Sequence, residues 1–226
     1  MCGRYALTVE PAVLSALLAL RDLAEFDPRW NLAPSQSAPV VTRDDAREGR
    51  ALRSMRWGLV PSWSKDSKIG YRTINARSET AATKPAFRSA YRKRRCLVPA
   101  SWFYEWRKEG KEKTPFMIQR TDGAPLVMAG LFESWRGSAT EAPRTTFTIL
   151  TTAANEDMEG LHDRMPCLLG REDHDRWLDV EHDDMDAVAA LLRPAPAGTL
   201  EHHRVSQRVG NVRNEGPELL TPDTLF

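Results

Sequence analysis

Apolar residues recur at helical spacing at Val13, Leu14, Leu17, Leu18 and Leu23, behind Thr8 as a cap and Pro11 as a first-turn proline. That pattern predicts one short amphipathic helix near the start of the chain. Strand patterns then dominate: 39–42, 52–59, 96–98, 116–119, 126–130 and the alternation of threonine with apolar residues over 145–151. Helical patterns return at 155–160, 173–178 and 185–192, each bounded by Gly or Pro. Pro194, Pro196 and Gly198 mark a turn before a last segment, 202–214, that reads as strand and loop. The order predicts an α+β fold with a largely antiparallel sheet system and peripheral helices. No repeat, low-complexity tract or long linker divides the chain, so one domain is expected.

Composition narrows the class. With 226 residues, 41% hydrophobic and 28% charged, the chain can bury a core and is too apolar for wholesale disorder. No run reaches the ~18 apolar residues of a membrane span and no secretion signal precedes the first element, so a cytoplasmic protein is expected. Cys2, Cys96 and Cys167 are odd in number and widely separated. That argues against a disulfide framework and a zinc ribbon; neither metal nor cofactor is expected. A formal net charge of +1 excludes binding of nucleic acid through overall positive charge, but the charge is uneven. Residues 84–113 carry ten Lys and Arg against three Glu, and 172–186 carry eight acids against Arg176. Each run reads as a solvated face, and the basic one also as a surface for a polyanion.

The most suggestive position is Cys2. Once Met1 is removed, Cys2 presents an α-amine titrating near ~7.7–8.0 beside a thiol near ~8.5. Such a 1,2-aminothiol condenses with an aldehyde to an imine, which the thiol closes to a five-membered thiazolidine. Well-placed intramolecular closures reach effective molarities of ~10⁵ M or more. Cys2 also reads simply as a residue fraying with the terminus. Gly3 and Arg4 follow it, a permissive backbone and a guanidinium able to grip phosphate.

Residues 74–79 set Asn75 beside Arg77, ahead of a helix start that Ser78 caps in the alternative reading. Glu105 lies among Trp102, Phe103, Tyr104 and Trp106, either as a proton shuttle with a raised pKa or as an outward strand residue paired with Arg107 or Lys108. His162, between Leu161 and Asp163, suits proton transfer; His174, His182, His202 and His203 sit in charged, surface-like segments. Of seven tryptophans, Trp57 is expected in the core and Trp63, between Ser62 and Ser64, on a surface where it could stack on a base.

Eight motifs, at 2–5, 31–34, 57–63, 74–79, 96–99, 103–106, 162–166 and 209–214, resemble in their order the SOS response-associated peptidase (SRAP) family. Its members shield abasic sites in single-stranded DNA. The resemblance runs to about residue 217 and implies a single domain, 2–220 with a tail at 221–226, built on a β-barrel-like core with a DNA-binding cleft. It implies that Cys2 forms a thiazolidine with the ring-opened abasic sugar. It further implies that Asn75 orients Cys2 and the sugar, that Glu105 serves as acid and base, and that His162 assists sugar opening and crosslink reversal. By the same matching, Arg4, Arg77 and Arg164 contact phosphates, and Pro34, Trp63 and Arg88 shape the kinked strand. The implied partners are abasic single-stranded DNA and replication-fork proteins, with the chain a monomer that joins the nucleoid when bound to DNA. Trp102 departs from the glycine of many relatives, which bears on the backbone before Glu105.

Two other functions fit the same residues. One is a peptidase or amidohydrolase with Cys2 as N-terminal nucleophile and Asn75 as oxyanion donor, whose minimal form is self-removal of Met1. The other is a non-covalent module for DNA junctions in which Cys2 is incidental.

Overall fold

The computed structural model describes residues 2–44, 46, 49–181 and 184–223. Met1 and His182, named above, lie outside them. The first helix, α1 (Pro11–Leu18), buries Leu14 and Leu18. It is shorter than the pattern predicts. Thr8 does not cap it: the cap position is Glu10, without a side-chain bond, while the Thr8 amide donates to Ser101 Oγ. The helix ends where Ala19 turns left-handed, leaving Leu23 exposed.

Two sheets follow. In the larger, β3 (Ser37–Asp44), β4 (Gly49–Trp57), β6 (Arg95–Ala100), β9 (Leu126–Trp135) and β10 (Arg144–Ala153) form a closed ring in the order β10-β4-β3-β6-β9, with β9 pairing back onto β10. The β10–β4 contact is parallel and the others antiparallel. Closure removes the sheet edges and buries both faces of β10, which explains why its pattern is a near-continuous apolar and threonine run. Gly130 permits a close approach inside the ring: a Cβ there would stand 2.7 Å from Val98 Cγ2 and 2.8 Å from Cys96 Sγ.

Beyond the ring, β10 pairs with β5 (Asn75–Arg77) along one edge and β11 (Arg164–Pro166) along the other. The smaller sheet has the order β12-β8-β7-β1-β2, from β1 (Tyr5–Leu7), β2 (Arg29–Leu32), β7 (Trp102–Glu109), β8 (Glu112–Arg120) and β12 (Leu200–Arg204). One face, with Tyr5, Leu32, Phe103 and Ile118, joins the main core; the other, with Ala6, Trp102, Tyr104 and Met117, packs under Val205 and Val209.

Peripheral helices are short: α2 (Ser78–Ala81), α3 (Arg88–Lys93), α4 (His174–Leu178) and α5 (Met185–Ala189). The predicted helix at 155–160 is a single 3₁₀ turn, Glu156–Met158. Ser78 is the first helical residue rather than a cap, and residues 75–77 before it are strand. Of the basic run, Arg95 is internal, donating to the carbonyls of Trp177, Tyr91 and Asp179, and Arg94 pairs with the nearly buried Glu133 at 2.8 Å. His174 is buried in α4, not on the surface. No described helix is long and apolar enough to cross a membrane. Asp223, in the expected tail, accepts from Ser206 Oγ and the Gln207 amide.

Candidate functional site

Cys2 does not fray. It is fully buried at the head of β1, and Asn75 at the start of β5 donates from Nδ2 to its carbonyl at 2.7 Å. The pairing of β5 with β10 (Asn75 opposite Ile149) holds Asn75 rigidly on the barrel. Its Oδ1 is buried and makes no hydrogen bond among the described residues. The thiol makes a weak contact with the Arg4 carbonyl at 4.0 Å. Burial pushes the thiol pKa well up, and the nearby Glu105 carboxylate pushes in the same direction. The resting sulfur is therefore a neutral thiol at pH 7.

Glu105 is a strand residue, as one reading held, but it points inward and is 4% exposed. The departure at Trp102 leaves the strand intact: Ala6 pairs with Trp102 and Tyr5 with Phe103, and Trp102 packs 5.5 Å from Trp30. The register therefore carries Glu105 to the Cys2 end of β1, where the Tyr104 amide donates to the Arg4 carbonyl at 2.9 Å.

His162 lines an open groove with Asn155, Met158 and Asp163. Its Nδ1 accepts from the Arg164 amide at 2.9 Å and also stands 2.8 Å from Asp163 Oδ1. One nitrogen cannot serve both in one state. The neutral ring accepts the amide and carries its proton on Nε2; the imidazolium donates from Nδ1 to Asp163.

The predicted phosphate ligands fall into two groups. Arg77 at the end of β5 and Arg88 at the start of α3 are exposed. Arg4 and Arg164 are already engaged. Arg164 forks onto Glu79 at 2.5 and 2.9 Å and donates to the Thr151 carbonyl. That bond holds the Glu79 carboxyl below its ordinary pKa.

Arg4 is 9% exposed; its Nη1 donates to Asn31 Oδ1 at 2.8 Å and the Val209 carbonyl at 2.7 Å, and its guanidinium lies 5.8 Å from the Trp106 ring centre. Asn31, fully buried, donates from Nδ2 to the carbonyls of Val209, Asn211 and Asn214. The motifs at 31–34 and 209–214 are thus two halves of one lock on β1. The two motifs were visible in the sequence; their contact was not.

Trp57 is core, as expected, and Trp63 is 60% exposed. The excursion that carries Trp63 is closed at its base by Gly58 against Gly70, where a Cβ on Gly58 would stand 2.5 Å from the Gly70 carbonyl oxygen at a φ of 119°. Ser64 accepts from Trp135 Nε1 at 2.8 Å, and Glu141 accepts from the Ser67 amide and hydroxyl. Tyr71, which sequence reasoning passed over, is exposed on the same excursion. Pro34 is half-buried at the second position of the turn closed by the Gln36 amide on the Ala33 carbonyl. A cavity of about 300 Å³ between Phe26, Arg29, Pro39 and Arg53 is lined by none of the four catalytic candidates.

Comparisons with known proteins agree on one lineage. The model of the SOS response associated peptidase (SRAP) family matches residues 1–212. The abasic site processing protein YoqW of Bacillus subtilis is 39% identical over 224 residues, covering 97% of this chain and 99% of its own. The abasic site processing protein YedK of Escherichia coli is 36% identical over 234 residues (98% and 100%), and the chicken abasic site processing protein HMCES 35% over 263 residues (98% and 78%). A crystal structure of a Bacteroides thetaiotaomicron protein shares the fold with a TM-score of 0.86 at 24% identity, covering 99% of this chain and 100% of that one.

Proposed function

The chain belongs to the SRAP family, and from that premise we propose that it processes abasic sites in single-stranded DNA by forming a covalent crosslink through Cys2. The observation that carries this reading is the Asn75 bond to the Cys2 carbonyl: the second residue of the chain is an anchored, buried part of the fold beside Glu105.

In the proposed reaction Met1 is first removed, by the protein itself or by an aminopeptidase. The abasic sugar opens to its aldehyde: the bond from C1′ to the ring oxygen breaks, the anomeric hydroxyl gives up its proton as its oxygen becomes the carbonyl, and the ring oxygen gains one, with His162 relaying the proton between them. The Cys2 amine adds to C1′; Glu105 takes a proton from the nitrogen and passes it to the hydroxyl that leaves as water, giving the imine. The thiol then adds across the C=N bond: an S–C1′ bond forms and the sulfur's proton ends on nitrogen, by way of Glu105. One water is released overall, and no cofactor is required. The raised thiol pKa favours this order, because the amine is the better nucleophile when sulfur is held neutral. Asn75 Oδ1, a buried acceptor without a described partner, suits a sugar hydroxyl or the Cys2 ammonium.

Arg77, Arg88 and Trp63 are exposed to take phosphates and a stacked base, and Pro34 shapes the adjoining turn. Arg164 can join them by exchanging Glu79 for a phosphate, whereas Arg4 chiefly braces the strand that carries Cys2. Recognition of this kind is independent of sequence, and replication-fork proteins in the cytoplasm are the fitting company for it.

Denaturing electrophoresis with abasic and intact oligonucleotides tests the proposal. The parent protein should give a denaturation-resistant adduct with the abasic strand alone. Cys2→Ala should give none, and Cys2→Ser an imine trapped only by borohydride. An undiminished adduct from Cys2→Ala, or an intact mass that retains Met1 in a crosslinking preparation, would refute it.

A further inference from the structure

The sheet face that bears Glu105 does not end there. Glu105 pairs with Phe116, and Phe116 with Arg204 on β12; in the next rows Arg107 pairs with Thr114, and Phe103 and His202 flank Ile118. Directly paired residues point to the same face. Arg107, Phe116, His202 and Arg204 therefore share the Glu105 face, while Lys108, Glu201 and His203 lie on the other. With strands about 4.8 Å apart and alternate residues about 7 Å apart, Arg107 and Arg204 stand roughly 7–10 Å from Glu105. That is about two to three nucleotides along a stacked strand rising ~3.4 Å each.

The cluster is built rather than incidental. The Arg107 guanidinium lies 4.6 Å from the centre of the Phe116 ring, and the His202 ring meets the same phenyl edge-on at 5.4 Å and 87°. Phe116 is itself packed against the main core. His202 Nδ1 is buried and makes no hydrogen bond among the described residues. Arg204 is exposed at the end of the row. A cation pinned flat on an anchored ring has already lost most of its rotamer freedom, so binding an anion there immobilises little more.

We propose that Arg107, His202 and Arg204 form a second phosphate subsite, which holds the backbone of the DNA strand two to three nucleotides from the abasic sugar. The inference rests on the abasic-site reading above and adds the direction of the strand: from the exposed Arg77 and Trp63, past Cys2 and Glu105, onto the face of β7, β8 and β12.

Anisotropy titrations of an intact single-stranded oligonucleotide over about 50–200 mM salt, with the parent, Arg107→Gln, Arg204→Gln and the double variant, test it. Each lost contact should make the slope of log K against log salt shallower by about 0.7, and the double variant should bind about tenfold more weakly at the lowest salt. Arg107→Lys, which keeps the charge, should retain the slope. Shortening the strand on the side of the patch should erase the difference between parent and variants. Unchanged affinity and slope in the double variant, with thermal unfolding like the parent, would overturn the subsite alone. A parent that neither binds the strand nor forms the adduct would overturn the abasic-site reading with it.

Discussion

Replacing Asn31 by alanine tests how firmly the fold holds the end of the chain that carries Cys2. The side chain is fully buried and touches two parts of the molecule at once: Oδ1 takes a bond from Arg4, and the two Nδ2 hydrogens serve the carbonyls of Val209, Asn211 and Asn214. A hydrogen bond to a buried charged group contributes about 1.5–3 kcal/mol and each neutral one about 1 kcal/mol. Only two hydrogens are available to Nδ2, so the loss totals about 3.5–5 kcal/mol. At about 2–4 °C per kcal/mol for a chain of this size, Tm should fall by about 7–20 °C. Urea unfolding gives the free energy directly. Because Leu32 pairs with Tyr5, the loosening reaches Cys2, and adduct formation should slow at temperatures where the variant is still folded. A loss below about 1 kcal/mol for Asn31→Ala would refute the lock.

Three further outcomes follow from the ionisable groups at the site. Glu79→Gln should tighten binding of intact single-stranded DNA and steepen its salt dependence by about 0.7, one added phosphate contact, since Arg164 loses its carboxylate partner; weaker binding in the titration would show that Glu79 instead positions Arg164 productively. Acid should mimic this variant only late. The Glu79 pKa is depressed by Arg164, so the ion pair persists above the ordinary carboxylate range and is lost only as pH falls through the lowered value. Alkylation of Cys2 by iodoacetamide, followed by peptide mass mapping, should be slower than that of free cysteine at pH 7.5 and still rising about tenfold per unit at pH 9.5, because the buried thiol titrates high; a plateau near pH 8.5 would contradict the burial.

Much of the architecture was legible along the chain because period-2 alternation and turn residues are local signals. The segments 39–42, 96–98, 116–119, 126–130 and 145–151 each fall on a strand, and 52–59 overruns the end of β4 at Trp57 by two residues. Short elements escaped. β1, β5 and β11 span three residues each, too few for a period to register, and their pairing with β7 and β10 comes from distant sequence. His174 shows the converse failure: its acidic neighbours in sequence suggested solvent, yet the helix it sits on turns it inward against the barrel.

The kinds of chemistry present were determined by the sequence itself: a cysteine at position 2, a carboxylate among aromatics, a histidine beside an acid and arginines in family motifs, since side-chain identity requires no fold to be read. Only the tertiary structure decided how those groups are deployed. It buried Cys2 and hung it from Asn75, turned Glu105 inward, committed Arg4 to Asn31 and Arg164 to Glu79, and left Trp63, Arg77 and Arg88 outside. The physical reason is that burial, desolvation and ion pairing depend on which distant segments the closed barrel and the second sheet press together, and no local pattern encodes those neighbours.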